Sequence, residues 1–221
     1  MKNIKTITLG AIALLAIGGG VWFYAARDNP KPNNSQSAGG RSGNRQSSAE
    51  AAKSETEKLF ETYFGEDYDR YFLANMIAHH QGAIDMARRA QAKAGHAGLK
   101  AMAGSIISAQ TAEINSMLSW QRTWGYPASS GETMQDHSAM GMMDDMAKTV
   151  SELEPLSGDD FDRKFMELMI EHHESAVAMS RPAAKNAFHQ EIKDVAKAII
   201  EAQDAEIAQM RRWQVEWGYQ N

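Results

Sequence analysis

The sequence predicts an all-α protein, a four-helix bundle made of two helical hairpins, and three observations predict it. Shifting the chain by 93 residues aligns residues 69–126 with 162–219 without a gap, and 28 of the 58 aligned positions are identical. Apolar residues in each copy recur at spacings of three and four, the period of an amphipathic helix. No segment shows the apolar–polar alternation of a half-buried strand. The chain is therefore an internal duplication in which each copy supplies one hairpin.

Each copy is predicted to contain two helices. The first helices are expected over residues 68–92 and 160–185, and the second helices over 97–124 and 189–217. Trp-Gly-Tyr closes both second helices, and Gly125 and Gly218 suit the position just after a helix end. Pro182 stands where the first copy has Arg89, so the first helix of the second copy should kink or stop there.

The amino terminus is predicted to be a membrane anchor or an export signal. Lys2 and Lys5 precede an uncharged run over residues 7–26, and a helix of about 20 residues spans the hydrocarbon thickness of a bilayer. The positive flank should stay in the cytoplasm, which places the remainder in the periplasm or outside the cell. An uncleaved anchor is favoured, because Tyr24 stands where signal cleavage wants a small residue. Cleavage would instead give a secreted protein.

Five segments follow from these patterns. They are the anchor or signal (1–27), a flexible linker rich in Asn, Ser, Gly and Pro (28–55), the first repeat (56–126), a Met-rich connector (127–158) and the second repeat (159–221). The net charge is −5, and no basic stretch is long enough to indicate nucleic-acid binding. Cysteine is absent, which excludes disulfides and thiolate metal sites, whereas methionine occurs 14 times.

One face of the first helix carries two imidazoles and two thioethers. At about 100° per residue, Met76, His79, His80 and Met86 fall within a band of about 120°. The second copy repeats the pattern with Met169, His172, His173 and Met179, and it adds Met166 where the first copy has Leu73. Adjacent imidazoles that face a bundle interior are costly to desolvate unless a partner such as a metal ion satisfies them. Thioethers favour Cu(I) over Zn, Mg or Ca, whereas the alternative is that the methionines fill the core.

The second helix offers two further kinds of candidate. His96 and His189 begin the second helices, and they are either ligands or residues that happen to stand at a helix start. Glu113 and Glu206 lie on the apolar face, where each is expected to hold a metal-binding histidine in place or to pair with Arg or Lys at the helix edge.

The connector between the repeats is unusually rich in methionine. Gly, Ser and Asp interleave with these residues, which weakens a core explanation, and a short Met/His tract suits a Cu(I) site. The alternative is an amphipathic helix over 136–150 that packs its methionines on the bundle. The candidate ligands of the connector are Met134, His137, Met140, Met142, Met143 and Met146.

Three motifs that both copies carry resemble the domain of unknown function 305 (DUF305) family. They are Met-Ile-x-His-His, Ala-Ile/Val-x-Met and Glu-Ile-x-x-Met-x-x-Trp, within residues 65–221. The resemblance implies a ferritin-like helical bundle, often exported, and some members are copper-binding proteins linked to copper resistance. It implicates as ligands Met76, His79, His80 and Met86 with their second-copy equivalents. Glu171 and Glu174 replace Ala78 and Gln81 of the first copy, so the two sites should differ in charge and affinity.

These patterns together predict an envelope protein that sequesters or hands over copper in copper tolerance. Cu(I) is favoured and Cu(II) is the alternative, and other copper-handling envelope proteins are candidate partners. No nucleophile–base triad or phosphate-binding loop is found, so the protein is not expected to be an enzyme. One alternative is a ferritin-like di-metal oxidase, but no Glu-x-x-His motif precedes His79 or His80. A metal-free interaction module is the other alternative.

Overall fold

Helices account for the regular secondary structure of residues 55–126 and 148–219, the parts of the chain that the computed structural model describes. The helices are α1 (Glu66–Lys93), α2 (Ala97–Trp124), α3 (Gly158–Ser180), α4 (Ala183–Asn186) and α5 (Gln190–Glu216). Short helical segments at 55–61 and 148–153 precede α1 and α3. These two stretches contain no β-strand, which confirms the all-α prediction.

The two hairpins meet through their first helices. Helix α1 packs on α2, α3 packs on α5, and α1 also packs on α3. Sixteen of the 28 residues of α1 are buried, against six of the 28 of α2. The second copy repeats this contrast between α3 and α5. The first helices therefore form the centre, and the second helices lie against their outer sides.

The two copies are related by a pseudo-two-fold axis. Asp69, at the start of α1, accepts hydrogen bonds from the backbone N–H groups of Phe188 and His189, at 3.0 and 2.9 Å. Asp162, at the start of α3, accepts the equivalent bonds from Gly95 and His96, both at 2.9 Å. Each contact thus occurs twice with the copies exchanged, as in an isologous dimer interface. The start of α1 thus contacts the segment after α3, and the start of α3 contacts the segment after α1. The helices α1 and α3 therefore run antiparallel.

Sequence signals at the helix ends act as predicted. Gly125 and Gly218 adopt positive φ angles of 68° and 72° just beyond α2 and α5, a backbone conformation that glycine tolerates without strain. Helix α3 stops at Ser180, and Pro182 then precedes the short helix α4. Helix α1, which has no proline, continues unbroken to Lys93.

Two segments with predicted roles lie outside the described residues. They are the amino-terminal run over 7–26 and the part of the Met-rich connector that holds its candidate ligands. Within the described stretches, no helix is long and apolar enough to cross a membrane. The membrane anchor therefore stays a prediction from the sequence.

Candidate metal centre

Two histidines, one from each copy, stack where α1 and α3 cross. The ring centroids of His79 and His172 lie 3.6 Å apart, and the ring planes are tilted by 37°. The two residues occupy equivalent positions in the duplication. A residue that contacts its own equivalent must lie on the pseudo-two-fold axis, so this pair marks the axis at the centre of the bundle.

The ring nitrogens of this central pair are buried and unsatisfied. Neither Nδ1 nor Nε2 of His79 has a hydrogen-bond partner, and the same holds for His172. Burial, together with repulsion from neighbouring histidines, lowers the pKa of both side chains well below the ordinary value. Both imidazoles are therefore neutral at physiological pH, and each keeps one nitrogen lone pair free to bind a metal.

Two outer histidines flank the central pair and are held by carboxylates of the second helices. Nε2 of His80 lies 2.6 Å from Oε2 of Glu113, and Nε2 of His173 lies 2.8 Å from Oε2 of Glu206. An ionised carboxylate only accepts, so Nε2 donates and Nδ1 keeps the lone pair. In both rings Nδ1 is buried and without a partner. A hydrogen bond of this kind orients an imidazole toward a metal.

The second helices also bury two amide side chains that the sequence did not indicate as candidates. Gln110 and Gln203 are each 3% exposed, and Oε1 of each lacks a partner. They precede Glu113 and Glu206 by three residues, about one helical turn. Their identity in both copies was the available signal, because a glutamine on the apolar face of a helix is expected to serve a polar neighbour.

The candidate methionines of one repeat lie on opposite sides of the histidine layer. Met76 belongs to an apolar cluster with Met179 of the second copy. Met86 belongs to the other cluster, with Met166 and Met169 of the second copy. All five are buried. The structure therefore groups thioethers across the repeats and does not gather the two thioethers of one repeat on one side of its own histidines.

His96 and His189 lie at the ends of the bundle and not in the central layer. They precede the first residues of α2 and α5, and Nδ1 of each is 2.7 Å from Oδ2 of the aspartate that also accepts the backbone N–H of that histidine, Asp162 or Asp69. Each ring stacks on a tryptophan of the other copy, His96 on Trp217 at 3.8 Å and His189 on Trp124 at 3.7 Å. These hydrogen bonds and ring contacts stabilise the packing of the two repeats on each other.

One end site also has the spacing of a metal centre. Among the described residues, His96, Asp159 and Asp162 form the one group of three His and acidic side chains whose ligand atoms all lie within 4.8 Å of one another. The hydrogen bonds of Asp162 already account for its burial, so this group has a structural role without a metal.

The helical duplication and its paired histidines match a known family. The sequence profile of DUF305, a domain of unknown function, matches residues 21–120 and 69–214. The chain belongs to the DUF305 family. These matches confirm the resemblance that the three motifs indicate. No match was found among curated proteins.

Solved structures of other DUF305-like proteins share this fold. CopM in its Cu(I)-bound form is 35% identical, with a TM-score of 0.55 over 67% of this chain and 96% of CopM. The Cu(II)-bound form of CopM is 32% identical, with a TM-score of 0.58 over 70% of this chain and 99% of CopM. A DUF305 protein from Streptomyces coelicolor shares the fold at 24% identity, with a TM-score of 0.60 over 68% and 93% of the two chains.

Proposed function

We propose that this chain is an extracytoplasmic copper-binding protein that sequesters Cu(I) or hands it on in copper tolerance, through its histidines and methionines. The likeness to CopM, whose structures hold Cu(I) or Cu(II), supports copper as the cargo. The apolar run over 7–26 supports the location. Binding, and not catalysis, is the proposed activity.

The observation that carries the proposal is the buried histidine layer. Six ring nitrogens of its four histidines have no hydrogen-bond partner. A buried polar group without a partner costs about 1–3 kcal/mol, so the layer is unfavourable as long as nothing binds there. Neutral imidazole is a good ligand for copper and zinc, and a bound ion would satisfy these nitrogens.

The surrounding thioethers favour copper over zinc. Met76 and Met179 belong to the apolar cluster on one side of the layer, and Met86 and Met169 belong to the cluster on the other side. The chain has no cysteine to compete for the ion. A thioether is a soft ligand that binds Cu(I) well and needs no deprotonation. We therefore propose Cu(I) as the preferred state and other copper-handling envelope proteins as partners in handover.

Titration of the full chain in detergent tests the proposal. Cu(I) is added in competition with a chromophoric chelator, and Zn(II) is titrated in parallel. A variant with all four layer histidines replaced by glutamine should lose bound copper, whereas the matched control Gln81→Ala, at an exposed position beside the layer, should not. Unchanged copper binding in the histidine variant would exclude the layer, and equal Zn(II) affinity in the wild type would exclude selection by thioethers.

A further inference from the structure

The central contact of the bundle joins equivalent histidines of the two repeats. Because His79 and His172 stack on the pseudo-two-fold axis, each ring is nearer to the other copy than to the histidine beside it. We propose that the two repeats hold one shared copper ion between His79 and His172, instead of one ion in each repeat. This inference rests on the proposed copper-binding function and deepens it.

Adjacent histidines of one repeat are poorly placed to share an ion. Neighbouring residues on a helix point about 100° apart, and the ring centroids of His79 and His80 are 6.4 Å apart. In the second copy the corresponding distance is 6.2 Å. Glutamates also hold one nitrogen of each outer ring. Each outer ring therefore has only Nδ1 left to offer an ion, whereas both nitrogens of each axial ring lack a partner.

The methionines show the same arrangement across the repeats. Met76 and Met86 of the first copy lie in different apolar clusters, each with methionines of the second copy. A site built within one repeat would require both thioethers to reach the same side of the layer. A site on the axis needs one imidazole from each repeat. Each apolar cluster already contains methionines of both copies, one cluster on each side of the histidine layer.

Small side chains follow the pair along both helices. The rings now stack, so binding an ion between them requires both side chains to turn until one nitrogen of each faces the ion. Ala83 and Ala176, buried one turn beyond His79 and His172, contribute only methyl groups to this part of the core. Cu(I) accepts two nitrogen ligands readily, so the pair suffices for one ion.

Copper stoichiometry in single and double variants tests the shared site. We expect His79→Gln and His172→Gln in the full chain to lose the same one equivalent of bound Cu(I) each. The double variant should lose no more than either single variant. Separate sites in each repeat predict one equivalent lost in each single variant and two in the double, which would overturn the proposal.

A second measurement does not depend on counting ions at other positions. In the wild-type chain with ¹⁵N-labelled histidine, Ag(I) serves as a diamagnetic probe for Cu(I). The ring-nitrogen resonances of His79 and His172 should shift together and reach saturation at the same point of the titration. A shared ion would be contradicted if the resonances of only one ring shifted, or if those of the two rings reached saturation at different amounts of Ag(I).

Two control variants separate the loss of a copper ligand from other effects of substitution. His79→Met keeps a soft ligand at the axis and should retain the shared ion, which separates loss of a ligand from loss of the fold. Gln81→Ala should leave the stoichiometry unchanged. A wild-type chain that binds no Cu(I) would overturn the proposed function as well, whereas two ions bound independently by the histidines of the two repeats would overturn only the shared site.

Discussion

Replacing the axial histidine by leucine should make the metal-free protein more stable. His79 is 2% exposed and its two ring nitrogens have no partner, so the substitution removes an uncompensated buried polar group. That removal is favourable by about 1–3 kcal/mol. The substitution also loses the stacking of His79 on His172, which lowers this gain in stability by about 0.5–1.5 kcal/mol. A net gain of about 1 kcal/mol corresponds to a rise in Tm of about 2–4 °C for a chain of this size.

Thermal unfolding, followed by circular dichroism in excess copper chelator, measures this effect. Met76→Leu is the matched control, because it changes a buried residue of the same helix without removing a polar atom, and its cost should stay below about 1.5 kcal/mol. Excess Cu(I) should raise the Tm of the wild type more than that of His79→Leu, since binding to the folded state stabilises it. A Tm of His79→Leu at or below that of the wild type in chelator would refute the reasoning.

Three further predictions concern the residues that surround the centre. Asp162→Asn should lower the free energy of unfolding by about 1–3 kcal/mol in urea and change the fluorescence of Trp217, because the carboxylate binds the backbone just before α2 and holds the ring of His96, which stacks on this tryptophan. Glu113→Gln should weaken Cu(I) affinity about 10–100-fold in chelator competition while the thermal transition is kept. Burial, reinforced by nearby carboxylates, raises the pKa of Tyr126 and Tyr219 to about 12. The unfolded chain ionises these phenols near pH 10, so the free energy of unfolding should fall between about pH 10 and 12. Absorbance at 295 nm should show that both phenols of the folded protein ionise near pH 12. Midpoints near pH 10 in the folded protein would contradict this.

The sequence predicted much of the fold because the duplication is strong. A helical period repeated in two copies identifies two hairpins, and Pro182 marks where α3 ends. The pairing of a histidine with a carboxylate was suggested by Glu113 on an apolar helix face, and the structure shows this bond. Periodicity places a residue on a face of its own helix, which is why these local features could be predicted.

Periodicity does not determine which face of another helix a residue meets. Only the packing of α1 on α3 shows that His79 contacts His172 and that His96 and His189 lie at the ends of the bundle. Gln110, with an unpartnered buried oxygen, was likewise recognised only from the structure.

The sequence by itself determined that the chain is a helical duplication with a repeated His-His and Met pattern, because identity and period are properties of the linear chain. The tertiary structure decided that the two patterns meet at one axis and that the methionines group across the repeats. The physical reason is the antiparallel crossing of the first helices. That crossing brings equivalent residues together only at the axis, where His79 meets His172. Away from the axis it groups different positions of the two copies, such as Met76 with Met179.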